Sequence, residues 1–234
     1  MKKKLIWCFG VFLLLFFVWL ALKKDTSSLP LARESISVSD EEVMKLSSSS
    51  SDLSQPYFLE VFYPVTDYEV LNQQIQQMIT NYIDDFEQSL SPDTIQNDQM
   101  YSLMISYETY EYPPFVSYRF TIFMDTGGAH PNHFLWTVVF DQEEERIISI
   151  ADLEKKYPAI LSIFSRYSRE ILMDNPGIVN SSMLFEGTKP TLENFSHFVF
   201  TSQGILIFFE HYQVAPYSSG EFQVLIPYEK IKKG

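Results

Sequence analysis

Apolar positions along this chain follow three different rhythms, and each predicts a different element. Leu5 to Leu22 is an eighteen-residue run without a charge, about 27 Å as a helix and long enough for the hydrocarbon core of a bilayer. From Leu71 to Leu90 the spacing becomes three and four: Leu71, Ile75, Met78, Ile79, Tyr82, Ile83, Phe86 and Leu90 form one stripe, the mark of an amphipathic helix. Thr66 and Glu69 have capping-box spacing before that helix, and Pro92 stops it. A second helix is expected from Pro158, burying Ile160, Ile163, Phe164, Tyr167 and Ile171 and ending before Asn175-Pro176-Gly177. The third rhythm has period two. In Phe115 to Met124, Val116, Tyr118, Phe120, Ile122 and Met124 share one face and Ser117, Arg119 and Thr121 the other, as in a sheet covered on one side by a helix. Tyr57 to Tyr63, Met100 to Tyr107, His133 to Phe140, Ile205 to Phe209 and Phe222 to Ile226 are also rich in β-branched and aromatic residues and read as strands.

This order predicts an α+β protein with two small lobes, each a mostly antiparallel sheet packed by a helix. The lobes are expected at residues 57–128 and 129–234. Before them lie a cytoplasmic tail and transmembrane signal anchor (1–24) and a Ser/Asp/Glu-rich tether (25–56). The tether is too poor in apolar residues to bury a core and is expected to be disordered, with a transient helical tendency around Val38 to Leu46.

Charge sharpens the picture. Lys2, Lys3 and Lys4 precede the span and Lys23 and Lys24 follow it, which orients the N terminus inward and the C-terminal domain outward, as a single-pass protein of a bacterial membrane. All thirty Asp and Glu residues lie beyond Lys24, against twelve of the seventeen Lys and Arg, so that part carries −18. Such a field disfavours nucleic acid and draws cationic partners. The single cysteine, Cys8, sits inside the apolar run, so no disulfide forms within the exported part.

Two segments carry candidate chemistry. Asp125-Thr126-Gly127-Gly128-Ala129-His130-Pro131-Asn132-His133 is a turn between two strands. His130 and His133, with Asp125, offer ligand types for a metal, although a spacing of three suits a helix face better than a loop containing proline. His211-Tyr212-Gln213-Val214-Ala215-Pro216-Tyr217-Ser218-Ser219-Gly220 presents two tyrosines on a loop, rigid amphipathic rings of the kind that anchor protein or sugar contacts. No Gly-x-Ser-x-Gly, nucleophilic cysteine or phosphate-cradling loop is present. Asp84 with Asp85, and Glu143 to Glu145, read as solvated surface and not as a catalytic carboxylate pair.

These same segments carry a family resemblance. Gly127 to Asn132, Thr137 to Phe140 and Ile148 to Leu153 resemble the opening of a bacterial extracytoplasmic domain without settled function. That domain occurs in RsiV-type anti-sigma factors and at the non-catalytic end of PdaC-type peptidoglycan deacetylases. Tyr212 to Gly220 with Ile226-Pro227-Tyr228 resembles its carboxy-terminal signature, and Tyr57 to Met124 resembles the smaller domain that usually precedes it. The resemblance implies a non-catalytic module. From the RsiV type it implies lysozyme as a ligand, and from the PdaC type a wall polysaccharide such as peptidoglycan. Two departures stand: only Met1 to Lys4 precede the span, too few for a sigma-binding segment, and the deacetylase's Asp-Asp motif and paired-histidine helix are missing.

The leading expectation is therefore a membrane-anchored, non-catalytic envelope module that binds a wall component or a wall-directed protein and uses no cofactor. Its contact residues are expected to be His130, Pro131, Asn132, Tyr212, Pro216, Tyr217 and Gly220. The competing readings are a metal-assisted hydrolase of wall polysaccharide and a structural assembly factor.

Overall fold

Strand pairing organises the first half of the molecule. In the computed structural model, which describes residues 41–48, 57–90, 101–178 and 180–231, six strands form one sheet in chain order. They are β1 (Glu41–Ser48), β2 (Tyr57–Pro64), β3 (Tyr101–Tyr112), β4 (Phe115–Asp125), β5 (Asn132–Asp141) and β6 (Arg146–Ile147). Every neighbouring pair is antiparallel except β2 with β3, and helix α1 (Glu69–Ser89) lies in the long connection that a parallel pair requires. The stripe of α1 meets the even-numbered face of β4. Leu71, Ile75, Met78, Ile79 and Phe86 share a core with Leu59, Val61, Leu103, Ile105, Tyr118, Phe120, Ile122 and Phe140, while Tyr82 and Ile83 are half-buried at its edge.

The second sheet is β7 (Phe198–Phe200), β8 (Gly204–Phe209) and β9 (Phe222–Pro227), antiparallel throughout. One face packs on α2 (Ile150–Lys156), α3 (Ile160–Met173), α4 (Ser181–Gly187) and α5 (Tyr228–Ile231) through Ile160, Phe164, Leu184, Phe195, Phe198, Ile207, Phe209 and Val224. The other face, with Val199, Leu206 and Phe208, lies on Leu135 of β5. The layers thus run α1, first sheet, second sheet, helices α2–α5. This is the α+β architecture of two mostly antiparallel, helix-packed sheets.

The contact between sheets explains why β4 alternates. Its polar face is not solvated: Ser117 is fully buried, and its Oγ accepts from the backbone N–H of Phe200 (3.4 Å). Thr137 Oγ1 on β5 accepts from the N–H of Phe198 (3.3 Å). Two hydroxyls therefore occupy outward-pointing donors of the edge strand β7, which blocks that edge against further strands. At the same end Phe115 stacks on Phe200 (4.3 Å between centroids) and Tyr112 on Tyr228 (5.1 Å).

Several expectations are corrected. β5 pairs with β4 over ten residues, so the first sheet runs through Ile147, past the expected boundary at 128/129. Within the expected tether, Glu41–Ser48 is a strand paired with β2 and not a transient helix; its register sets Met44 and Leu46 opposite Val61 and Leu59, giving a period of two. Thr66 does not form a capping box with Glu69. The Thr66 backbone N–H and hydroxyl both donate to Asn72 Oδ1, and the Asn72 amide donates back to the Thr66 carbonyl, so the helix begins after Tyr68. The capping box belongs instead to α2, where Ser149 and Asp152 bond reciprocally. α3 begins at Ile160, beyond Pro158, and leaves Ile171 48% exposed while burying Leu172. The apolar run Leu5–Leu22 lies outside the described residues, and among those described no helix is long and apolar enough to cross a membrane.

Candidate functional site

Two loops at one end of the inter-sheet seam form the candidate site. The first, residues 126–131, joins β4 to β5, and the second, residues 210–221, joins β8 to β9. They are more than eighty residues apart in sequence, yet the Tyr217 hydroxyl donates to the Pro131 carbonyl at 2.9 Å. The His130 ring stacks on Tyr217 at 4.4 Å, Tyr212 lies 5.3 Å from it, and His211 4.6 Å on another side. His133 continues the group inward, 5.4 Å from His211 and edge-on to Phe123 at 5.1 Å. Six aromatic or imidazole rings thus form a continuous cluster, with Tyr212 59% exposed and His130 exposed at its outer side.

The second loop is held rigidly, which fixes its rings before any ligand arrives. Gln213 Nε2 donates to the carbonyls of Gly187 and Asn194 (3.0 and 2.9 Å), and its Oε1 accepts from Glu210 N–H. The approach is so close that a Cβ at Gly187 would lie 2.0 Å from the Gln213 carbonyl. Val214 and Ala215 are buried, and Ser219 Oγ donates to Gly177 O. Tyr212 adopts φ 67° and Gly220 φ 78°. The second is ordinary for glycine, whereas a tyrosine there is strained and held by its surroundings, a pattern that clusters at binding sites. Gly220 makes this turn, with open space where its Cβ would be.

Behind the rings lies a polar layer. Arg119 of β4 pairs with Glu221, donates to Thr121 Oγ1 at 3.0 Å, lies 3.8 Å from Glu108 and sits over the Phe208 ring. Glu221 also lies 3.8 Å from His211 Nδ1; that nitrogen and Arg119 Nε are buried without a hydrogen-bond partner. Glu210 bridges the sheets, accepting from the Leu135 N–H of β5 (3.3 Å) and lying 3.6 Å from His197 Nε2. Burial pushes the His197 imidazole down to about 4 and also lowers His211, while burial raises the Glu210 carboxyl. Burial thus disfavours the charged form of both imidazoles.

Of the residues expected from the sequence, His130, Pro131, Tyr212 and Tyr217 are brought into contact. Asn132 opens β5 on the exposed side and Pro216 leads into the 3-10 turn Tyr217–Ser219. His211, Arg119, Glu210, Glu221 and His197 were not singled out as site residues. Arg119 had a local signal in the polar face of β4 opposite α1, and Glu210, His211 and Glu221 lie in or beside the tyrosine loop; their convergence depends on pairing across the seam. Asp125 does not converge with the two histidines: its carboxylate accepts from Gly127 N–H, and among the described residues no group of three His, Cys, Asp or Glu side chains is placed to hold a metal.

The fold and site thus define a two-sheet α+β module that presents a rigid aromatic loop cluster. Comparison gives a partial match: residues 151–229 match the model described as Protein of unknown function (DUF3298). Peptidoglycan-N-acetylmuramic acid deacetylase PdaC of Bacillus subtilis (strain 168) is 27% identical over 175 residues, which are 74% of this chain and 38% of that protein. The chain therefore spans well under half the length of this relative. A DUF3298 family protein from Pseudomonas aeruginosa PAO1 has the same fold, with TM-score 0.61 and 14% identity over 82% of this chain and 92% of that one. A second family member, from Bacteroides fragilis NCTC 9343, superposes with TM-score 0.56 and 16% identity over the same shares.

Proposed function

We propose that this chain is a membrane-anchored, extracytoplasmic, non-catalytic module of the bacterial cell envelope. It binds a wall component such as peptidoglycan, or a wall-directed protein such as lysozyme. The carrying observation is the convergence of the 126–131 and 210–221 loops, where Tyr217 bonds to Pro131 and displays Tyr212 and His130 on a strained but fixed backbone. Rings of this kind add large contact area at small entropic cost. The relation to a peptidoglycan deacetylase supports a wall-associated role, and the acidic surface favours a cationic ligand. In this reading Leu5–Leu22 holds the protein in the membrane with its N terminus inside and the folded part outside.

The test is titration of the full-length protein against lysozyme at low and near-physiological salt, with co-sedimentation on purified cell walls in parallel. Saturable binding to one of them that persists at physiological salt and is lost in Tyr212→Ala is the expected result. Absence of binding to both overturns the proposal.

A further inference from the structure

We infer that the uncovered part of the first sheet, continuous with the His133–Tyr217 cluster, is the floor of a groove for an amine-bearing glycan. The ligand class is a chain of glucosamine-type sugars whose acetyl groups have been removed. This rests on the wall-binding reading above and names its ligand. The register aligns Glu60, Met104, Phe123 and His133 as one row across β2, β3, β4 and β5. Phe58 lies two residues along on the same face, because side chains alternate along a strand. This is the face that the second sheet covers nearer Phe115, but here, among the described residues, the cover stops. Phe58 and Met104 are 39% and 37% exposed, and neither they nor Phe123 belongs to a buried core. Where the cover stops stands the 210–221 loop, its His211 against His133. The floor is thus Phe58, Met104 and Phe123 between Glu60 and His133, and the end wall is the ring cluster.

Four strands at about 4.8 Å spacing make a strip about 14 Å long, the length of a short oligosaccharide and one side chain wide. Such a strip is far smaller than the roughly 800 Å² that a stable protein partner covers on each side, which favours a single polymer chain as the occupant. Charge selects which polymer. Residues 57–149 contain fifteen Asp and Glu against two Lys and Arg, whereas residues 150–234 contain nine against eight. Both cations of the first segment are already paired, Arg119 with Glu221 and Arg146 with Glu144 and Asp152, and Lys45 of β1 stands opposite Glu60 at the far end of the row. Glu221 lies against His211 at the His133 end, and Asp125 follows Phe123 two residues along the same face of β4. An anionic glycan meets repulsion there, a neutral one gains only stacking, and a chain carrying ammonium groups gains stacking and charge attraction together.

The experiment titrates the full-length protein with a glucosamine hexamer and with its fully N-acetylated counterpart, and repeats both with Met104→Lys and Phe58→Ser; lysozyme is titrated alongside. The expected result is at least tenfold tighter binding of the glucosamine hexamer, with that preference lost in Met104→Lys and weakened in Phe58→Ser. Equal or tighter binding of the acetylated hexamer overturns the inference, as does a preference that survives both substitutions. If neither hexamer binds while lysozyme or intact wall does, the inference falls and the envelope-module reading stands. If nothing binds, both fall.

Discussion

The seam between the two sheets has two ends built on different principles. At one end Phe115 stacks on Phe200 and Tyr112 on Tyr228, and hydroxyls of Ser117 and Thr137 close the backbone donors of β7. The rings there pack on one another and two outward donors of β7 are taken up. At the other end Arg119, Glu210, Glu221, His197 and His211 meet in incomplete pairings, with Arg119 Nε and His211 Nδ1 buried and unbonded. Imperfect satisfaction costs stability and is retained where it has a use. One end therefore holds the sheets together, and the other holds the rings of the site in place. The two ends lie on the same strands, so substitutions at each act on a common fold.

The largest effect is expected at the closed end. Phe200→Ala empties a stacked position in the core and is expected to cost about 3–5 kcal/mol in denaturant unfolding. Ligand binding by the surviving folded fraction is expected to remain. Loss of binding at full folding would show that the ends are not independent.

Next comes the pH response of the open end. His197 is held near 4 by burial, well below its unfolded value near 6.5. The unfolded chain takes up that proton first, so stability contributed by neutral His197 is complete above about pH 6.5 and is lost as pH falls towards 4, on the order of 3 kcal/mol. Glu210 opposes part of this, since its raised carboxyl favours the fold at low pH and loses that contribution as pH rises through its folded value. His197→Gln should flatten the fall between pH 6.5 and 4, measured by unfolding at fixed ionic strength. An unchanged slope would assign it to other groups.

Smaller effects separate the ends further. Ser117→Ala strips the acceptor from a buried amide and should cost about 1–3 kcal/mol without touching the site. Tyr217→Phe removes one hydrogen bond to Pro131 and should cost about 1 kcal/mol while keeping the stacked rings. Thermal or denaturant midpoints of these variants, set beside their affinities, give the partition directly.

Much of the architecture was legible because it is written locally. The three- and four-residue spacing of Leu71 to Leu90 marked α1, and alternation in Phe115 to Met124 marked β4. The Pro- and Gly-bearing turn at His130 and the tyrosine loop at Tyr217 were visible as exceptions to both rhythms. What was not legible depends on partners distant in sequence. Ser117 and Arg119 looked solvent-facing because nothing nearby announces the second sheet that covers them. Assignment of β5 to the first sheet follows from its pairing with β4, which a turn alone does not determine. Asn72 displaced the Thr66 capping box because its amide satisfies Thr66 from both sides, a competition that spacing does not reveal. The candidate site was half visible: its loops stood out, while the meeting of Glu210, His211 and Glu221 with Arg119 of β4 and His197 depends on the fold.

The central claim is that the open end is a binding surface and the closed end is not. It is tested most directly by Tyr212→Ala, which removes the ring standing 59% in solvent and is expected to shift stability by less than about 0.5 kcal/mol. Affinity of the full-length variant for purified wall or lysozyme, measured beside its unfolding midpoint, is predicted to fall at least tenfold at unchanged stability. An unchanged affinity would contradict the account.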